Sequence, residues 1–264
     1  MARLDALLVA RGLARSRVTA KEMIRGGSVT VNGRTITKAA FDAAESDVIE
    51  CSASELYVGR GALKLERAYN EFGLDFDGKK CIDIGASTGG FTDFMLRNGA
   101  AKVFAVDVGH GQLAEKLRND SRVVNLEGTD IRNVAPEDFG GCADFISVDV
   151  SFISLMMILP KVFELLGDGC CAAVLIKPQF EAGRSNIGKR GIVRDRRVHE
   201  RVLRDIDSFA SGVGFTAEQY TYSSIKGGSG NIEYLVKLVK SGENTGEHDF
   251  RGLVNEAFDA LKES

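Results

Sequence analysis

Residues 81–91 read Cys-Ile-Asp-Ile-Gly-Ala-Ser-Thr-Gly-Gly-Phe, and this stretch decides the fold of the larger part of the 264-residue chain. A short apolar run ends in a glycine-rich turn and passes directly into a helical pattern, the mark of a strand–turn–helix unit. Gly85, Gly89 and Gly90 let the backbone approach a ligand at the carboxyl end of that strand, where open α/β sheets bind their ligands. Outward from this turn the pattern repeats. Strands are predicted over 80–85, 102–107, 122–127, 144–149 and 170–177, with helices over 90–98, 111–118, 152–166 and 194–211. Such alternation specifies a parallel sheet with crossover helices. Two further strands, near 215–224 and 232–239, complete it. A polar stretch over 241–248 then leads to a tail with Phe250, Leu253, Val254, Ala257, Phe258 and Leu261 on one helical face, which should dock on the domain.

The second strand ends in Ala105-Val106-Asp107, which places an acid about twenty residues past the turn, where it can accept hydrogen bonds from a ribose diol. Dinucleotide-binding enzymes share these features, so spacing must discriminate. The order here is D-x-G-x-x-x-G-G, not the G-x-G-x-x-G nest that a pyrophosphate needs. S-adenosylmethionine carries no phosphate and needs room for a methionine tail. The candidate cofactor residues are therefore Asp83, Gly85, Ala86, Ser87, Gly89, Gly90, Phe91 and Asp107, with Asp130 from Gly-Thr-Asp-Ile-Arg after the third strand. Asp83 and Asp130 suit the ligand's amino group and adenine; a nicotinamide cofactor or a purely structural turn are the alternatives.

Three segments place polar residues at strand ends. Asp149 closes Phe145-Ile-Ser-Val-Asp, Lys177 closes Ala173-Val-Leu-Ile-Lys, and Glu233 opens the last strand. A lysine closing a buried strand is expensive without a partner, which makes Lys177 a functional candidate, with a structural ion pair as the bland reading.

The first segment differs in kind. Leu4, Leu7 and Leu8 form a helical stripe that stops at Gly12; Ser16 can cap a second helix carrying Ala20, Met23 and Ile24. Alternating residues then flank Asn32-Gly33, the pair favoured in a two-residue type I′ hairpin turn. Charge is unevenly spread. The chain's formal net charge is only −3, yet residues 1–38 and residues 184–204 each hold eight Lys/Arg against two acids. Two such patches on an acidic protein fit polyanion binding better than solubility alone.

Hydrophobic residues make up 44% and charged residues 27% of the chain, which argues against wholesale disorder. The five cysteines show no CxxC spacing and sit mostly in apolar surroundings, so buried reduced thiols are expected and no metal site is. The longest apolar run, Cys170 to Ile176, is too short to span a bilayer, and charges at positions 3, 5 and 11 interrupt any signal-peptide core. A cytoplasmic protein, with a monomer favoured and no membrane partner, is expected.

Two resemblances add to this reading. The N-terminal segment, with its leading R-L-D, the S-R before the second helix and the G-x-V-x-V-N-G hairpin, is similar to the S-four-type (alpha-L) RNA-binding domain. That resemblance implies backbone contacts to RNA from the second helix and hairpin, here from Arg3, Arg15, Arg17, Lys21, Arg25 and Arg34. From about residue 55 the chain resembles the FtsJ-like 2′-O-methyltransferases, and as a whole the TlyA (hemolysin A) family of rRNA methyltransferases. Their Lys-Asp-Lys-Glu tetrad falls on Lys64, Asp149, Lys177 and Glu233, within R-G-x-x-K-L, D-V-S-F-I-S-L, I-K-P-Q-F-E and K-G-x-x-G-N-x-E-Y. Ala62 departs from the family, which often has a second glycine there. The resemblance implies ribose methylation of ribosomal RNA, free or in subunits, at cytidine, with Lys177 as base. The domains are then an RNA-binding domain over 1–55, a linker over 56–62, a Rossmann-like methyltransferase domain over 63–240 and a C-terminal helix within 241–264. A non-catalytic RNA-binding assembly factor is the alternative, which the intact tetrad opposes.

Overall fold

The computed structural model describes residues 2–11, 13–14, 17–25, 27–44, 46–51, 57–240 and 246–262. The chain divides into two compact units, Met1–Arg60 and Gly61–Ser264.

In the first unit β1 (Ala2–Arg3) leads into α1 (Leu4–Ala10) and α2 (Arg17–Arg25), followed by β2 (Val29–Val31), β3 (Arg34–Thr35), β4 (Asp42–Ala43) and β5 (Ile49–Cys51). β1 pairs with β4, and an antiparallel sheet runs β3-β2-β5. The apolar stripes read from the sequence meet in one small core of Leu4, Leu8, Ala20, Met23, Ile24 and Val29. Asn32 and Gly33 take φ of 51° and 77°, the pair of positive values that a type I′ turn requires. Ser16, the expected cap, lies outside the described residues.

The second unit is an α/β fold. Its elements are α3 (Ala62–Phe72), β6 (Lys80–Ile84), α4 (Gly90–Arg97), β7 (Lys102–Asp107), α5 (Glu115–Arg118), β8 (Val123–Glu127), β9 (Ala143–Val148), α6 (Leu159–Leu165), β10 (Leu166–Ile176), α7 (Pro178–Glu181), α8 (Arg196–Val213), β11 (Thr216–Tyr222), β12 (Tyr234–Val239) and α9 (Phe250–Ala260). Seven strands form one sheet in the order β11-β12-β10-β9-β6-β7-β8. β6 to β10 are parallel; β12 returns antiparallel to β10, and β11 antiparallel to β12. The central strands are near-continuous apolar runs, such as Phe145, Ile146 and Val148, because helices cover both faces of the sheet.

The strand order fixes where a ligand sits. The chain builds outward from β6 through β7 and β8, then crosses to β9 on the other flank of β6. The carboxyl ends of β6 and β9 therefore diverge at a topological switch point, the crevice used by open α/β sheets.

Several elements differ from expectation. α3 arises where no helix was expected, with Leu65, Ala68 and Phe72 on its buried side. The helix placed over 152–166 is confined to Leu159–Leu165 and preceded by a 3-10 turn at Leu155–Met157. Pro160 is the reason: it lacks the N–H that a continuous helix would need there and is tolerated only in a first turn. α5 starts at Glu115, not 111, after an extended Ala114 whose N–H donates to the Thr88 carbonyl at 3.2 Å; the Glu127 carboxylate at the end of β8 takes the backbone N–H groups of Gln112 (2.5 Å) and Leu113 (3.0 Å). β10 begins at Leu166 and pairs with Ala143 before its register shifts. The cysteines are free, but only Cys81 is fully buried and Cys142 is exposed, against the expectation of general burial. Among the described residues, no helix is long and apolar enough to cross a membrane, and no group of three His, Cys, Asp or Glu could hold a metal ion.

Candidate active site

The turn after β6 is pressed against the end of β9. Gly85 has φ of 83°, and a Cβ there would lie 2.5 Å from the Asp149 carbonyl oxygen; the Asp149 N–H in turn donates to the Ile84 carbonyl at 2.9 Å. Only glycine fits this approach, so the glycine turn and Asp149 form one rigid corner. Ser87 follows with φ of 47°, and its backbone N–H donates to the Asp107 carboxylate at 2.7 Å. Asp107 also accepts from the Gly109 N–H at 2.7 Å, yet it stays partly exposed at the end of β7, with lone pairs left for a ribose. Ser87 is exposed; Gly89 and Gly90 are buried where the turn enters α4. Asp130 is partly exposed beyond β8, capping a 3-10 turn and held by Arg132, whose guanidinium lowers its pKa below the usual carboxylate range.

Asp83 does not join this rim. It is fully buried, and its carboxylate accepts from the Thr92 N–H (2.9 Å), the Thr92 hydroxyl (2.7 Å) and the Ser147 hydroxyl (3.0 Å). It braces β6 to α4 and β9 from within. Burial pushes its pKa up to about 6 despite these hydrogen bonds. Ala86 and Phe91 are likewise buried. Glu127, which sequence reasoning passed over, holds the 112–113 backbone beside Asp107. Asn125 and those two N–H groups depress its pKa to about 2.

The four tetrad residues converge at the same edge. Asp149 follows β9 and Lys177 follows β10. Because β12 runs antiparallel to β10, with Tyr234 opposite Ile176, Glu233 at its start meets the end of β10. α3 supplies Lys64. Lys64 Nζ lies 2.7 Å from Glu233 Oε2 and 3.6 Å from Asp149 Oδ2, and Lys177 Nζ lies 2.5 Å from Asp149 Oδ1. Lys177 also donates to Ser151 Oγ at 2.9 Å. Lys64, Lys177 and Glu233 are almost fully buried, at 8%, 7% and 2% exposure. Two ammonium groups and two carboxylates thus offset one another where isolated charges would not be tolerated. Burial works to lower the pKa of Lys64, but Asp149 and Glu233 outweigh it and raise the value above that of an ordinary lysine.

Sequence reasoning missed the residues that hold this cluster. Gln179 Nε2 donates to Glu233 Oε1 at 3.3 Å, while its own buried Oε1 has no hydrogen-bond partner among the described residues. Glu181 accepts from the Ser154 hydroxyl (2.7 Å) and the Leu155 N–H (2.8 Å), tying α7 to the segment after Asp149. Phe152, in that segment, is 91% exposed with φ of 63° and lies 5.1 Å, centroid to centroid, from Phe180. The position of Gln179 and Glu181 in I-K-P-Q-F-E was the only signal for them.

In the first unit, Arg3 and Arg17 converge on one buried acid, Asp5, at 3.0 and 3.1 Å, so part of their charge is already balanced. Hydrogen bonds from Arg3, and then from Arg17, hold Asp5 below its usual pKa against the opposing effect of burial. Lys21 is half-buried; Arg25 and Arg34 are exposed; Arg15 lies outside the described residues.

This architecture and site have close relatives. The chain matches the FtsJ-like methyltransferase family over residues 57–240 and the S4 domain over residues 2–49. It is 44% identical to Hemolysin A of Brachyspira hyodysenteriae, covering 90% of this chain and 99% of that one. It is 41% identical to the 16S/23S rRNA (cytidine-2'-O)-methyltransferase TlyA of Mycobacterium tuberculosis, over 90% and 89%. A solved Streptococcus thermophilus structure that carries the name hemolysin shares 43% identity and a TM-score of 0.77, covering 98% of this chain and 96% of that one.

Proposed function

Because this chain belongs to the TlyA (hemolysin A) family of FtsJ-like methyltransferases, we propose that its tetrad transfers a methyl group to a ribose 2′-hydroxyl of cytidine in ribosomal RNA. S-adenosylmethionine, when bound, supplies that methyl as an electrophile on a sulfonium. The carrying observation is the convergence of Lys64, Asp149, Lys177 and Glu233 against the Gly85 turn. The residues around that turn suit the ligand: a glycine turn at the carboxyl end of β6, and the half-exposed Asp107 acceptor beside it.

A 2′-hydroxyl is a weak nucleophile, so the site must align it and take its proton. Lys64 has two carboxylate partners and a raised pKa, so it stays charged and holds the ribose oxygen as a donor. Lys177 shares its one carboxylate with Lys64. Lys177, the amine with the single carboxylate partner, is assigned as the base that takes the hydroxyl proton. Asp149 orients both amines; Glu233, held by Gln179, fixes Lys64. Phe152 presents an aromatic face beside the site, suited to stack on the target base. The basic first unit delivers the RNA in the cytoplasm, where ribosomes are.

The test is transfer of labelled methyl from S-adenosylmethionine to rRNA from cells lacking the gene, with the modified nucleotide mapped. Methylation of a 2′-oxygen that requires Lys177 supports the proposal; methylation on a base, or none with wild-type protein, overturns it.

A further inference from the structure

The catalytic unit carries a second cationic surface, and its construction is unusual. Residues 188–193 form a closed loop, with the Gly188 N–H bonded to the Ile192 carbonyl at 3.0 Å and the Gly191 N–H to the Gly188 carbonyl at 2.8 Å. The fully buried Asn231 clamps this loop from below, donating to the Gly191 carbonyl at 2.8 Å and accepting from the Val193 N–H at 3.0 Å. The buried His199 adds a third tie through Nε2 to the Val193 carbonyl at 3.0 Å. Asn231 lies two residues before Glu233, so the loop is anchored to the same strand entry that carries the tetrad.

The tip of this braced loop and the start of α8 present Lys189, Arg190, Arg194 and Arg197, all exposed. Several other exposed cations of this unit have an acid beside them, as Arg122 has Asp120 and Arg132 has Asp130. None of these four side chains has an anionic partner among the described residues. Asp195, in their midst, uses its carboxylate to cap α8 through the Arg197 N–H at 2.9 Å. A solvated surface needs no buried amide and imidazole to fix its shape. A surface that must meet phosphates at set positions does.

We infer that Lys189, Arg190, Arg194 and Arg197 form a phosphate-contacting platform that seats the RNA strand flanking the target nucleotide. This rests on the methyltransferase reading above and adds a docking site on the catalytic unit, separate from the basic first unit. Backbone contacts of this kind position a substrate without reading its sequence. They release counterions, so affinity falls with salt in proportion to the number of phosphates engaged.

The experiment uses the full-length chain with Arg190→Gln, Arg194→Gln and Arg197→Gln combined, an rRNA transcript containing the target, and fragments of the assembled subunit. S-adenosylmethionine binding should equal that of wild type, which shows the variant folded. RNA affinity should fall at least tenfold, with kcat at saturating RNA nearly unchanged. The slope of log affinity against log salt should flatten by about two, as expected for three lost contacts. Unchanged affinity and slope, with wild-type protein active, would overturn the platform while leaving the methyltransferase reading intact. Loss of activity on assembled subunits but not on the naked transcript would also overturn it, pointing to a protein partner. Inactivity of the wild type on both substrates would instead sink the underlying reading.

Discussion

In the proposed mechanism Lys177 is the residue on which the chemistry turns. Lys177→Ala should abolish methyl transfer yet leave cofactor and RNA binding close to wild type, since the amine acts in the transition state. Lys177→Arg should be equally inactive, because a guanidinium keeps its proton throughout the accessible pH range. Single-turnover rates on rRNA check both; substantial activity in the arginine variant would reduce Lys177 to an electrostatic positioner. Asp83 supports a different prediction. Its folded pKa, about 6, exceeds its ordinary value of 3.8, so the folded protein binds this proton more tightly than the unfolded chain does. Its contribution therefore opposes folding increasingly as pH rises from about 4 to about 6, by on the order of 3 kcal/mol, and levels off above that. Asp83→Asn removes this pH-dependent part. The difference between urea midpoints of variant and wild type should move in the variant's favour across that window; parallel curves would refute it.

At the scale of elements, the joint between β6, α4 and β9 is the most exacting. A Cβ at Gly85 meets main chain at Asp149, which cannot swing aside as a side chain could. Gly85→Ala should lower stability by about 1–3 kcal/mol and weaken S-adenosylmethionine binding more than tenfold by titration calorimetry. Unchanged affinity would separate the turn from the cofactor. The docking of α9 is legible in its pattern: Phe250, Val254, Ala257 and Leu261 are buried, as the apolar stripe requires. The start of α5 was not legible, because the residues before it are tied to distant groups, Ala114 to Thr88 and the 112–113 backbone to Glu127.

For the whole molecule, two units with separate cores imply divisible tasks. A chain of residues 61–264 should unfold cooperatively and bind S-adenosylmethionine, but methylate rRNA poorly. In the full chain, rRNA affinity should fall steeply with salt, and Lys21→Gln, Arg25→Gln and Arg34→Gln together should flatten that dependence. Filter binding across a salt series checks this, and a salt-independent affinity would count against backbone recognition by the first unit.

The sequence by itself determined the alternation of strands and helices, the Asn32-Gly33 hairpin and the glycine turn, since periodicity and turn chemistry are local properties of the chain. Pro160 is as local a signal, yet the expected helix over 152–166 ran through it where the structure confines α6 to Leu159–Leu165. The strand pattern also named Glu233, and the resemblance to the FtsJ-like methyltransferases named Lys64. That they touch, 169 residues apart, is a consequence of β12 returning antiparallel beside β10. Tertiary structure alone turned Asp83 inward, drew Arg3 and Arg17 onto Asp5, and set Gln179 against Glu233. A carboxylate's local sequence is the same whether it faces water or Thr92. The difference lies in which groups the packed sheet brings within hydrogen-bonding distance, and that is settled only when distant elements meet.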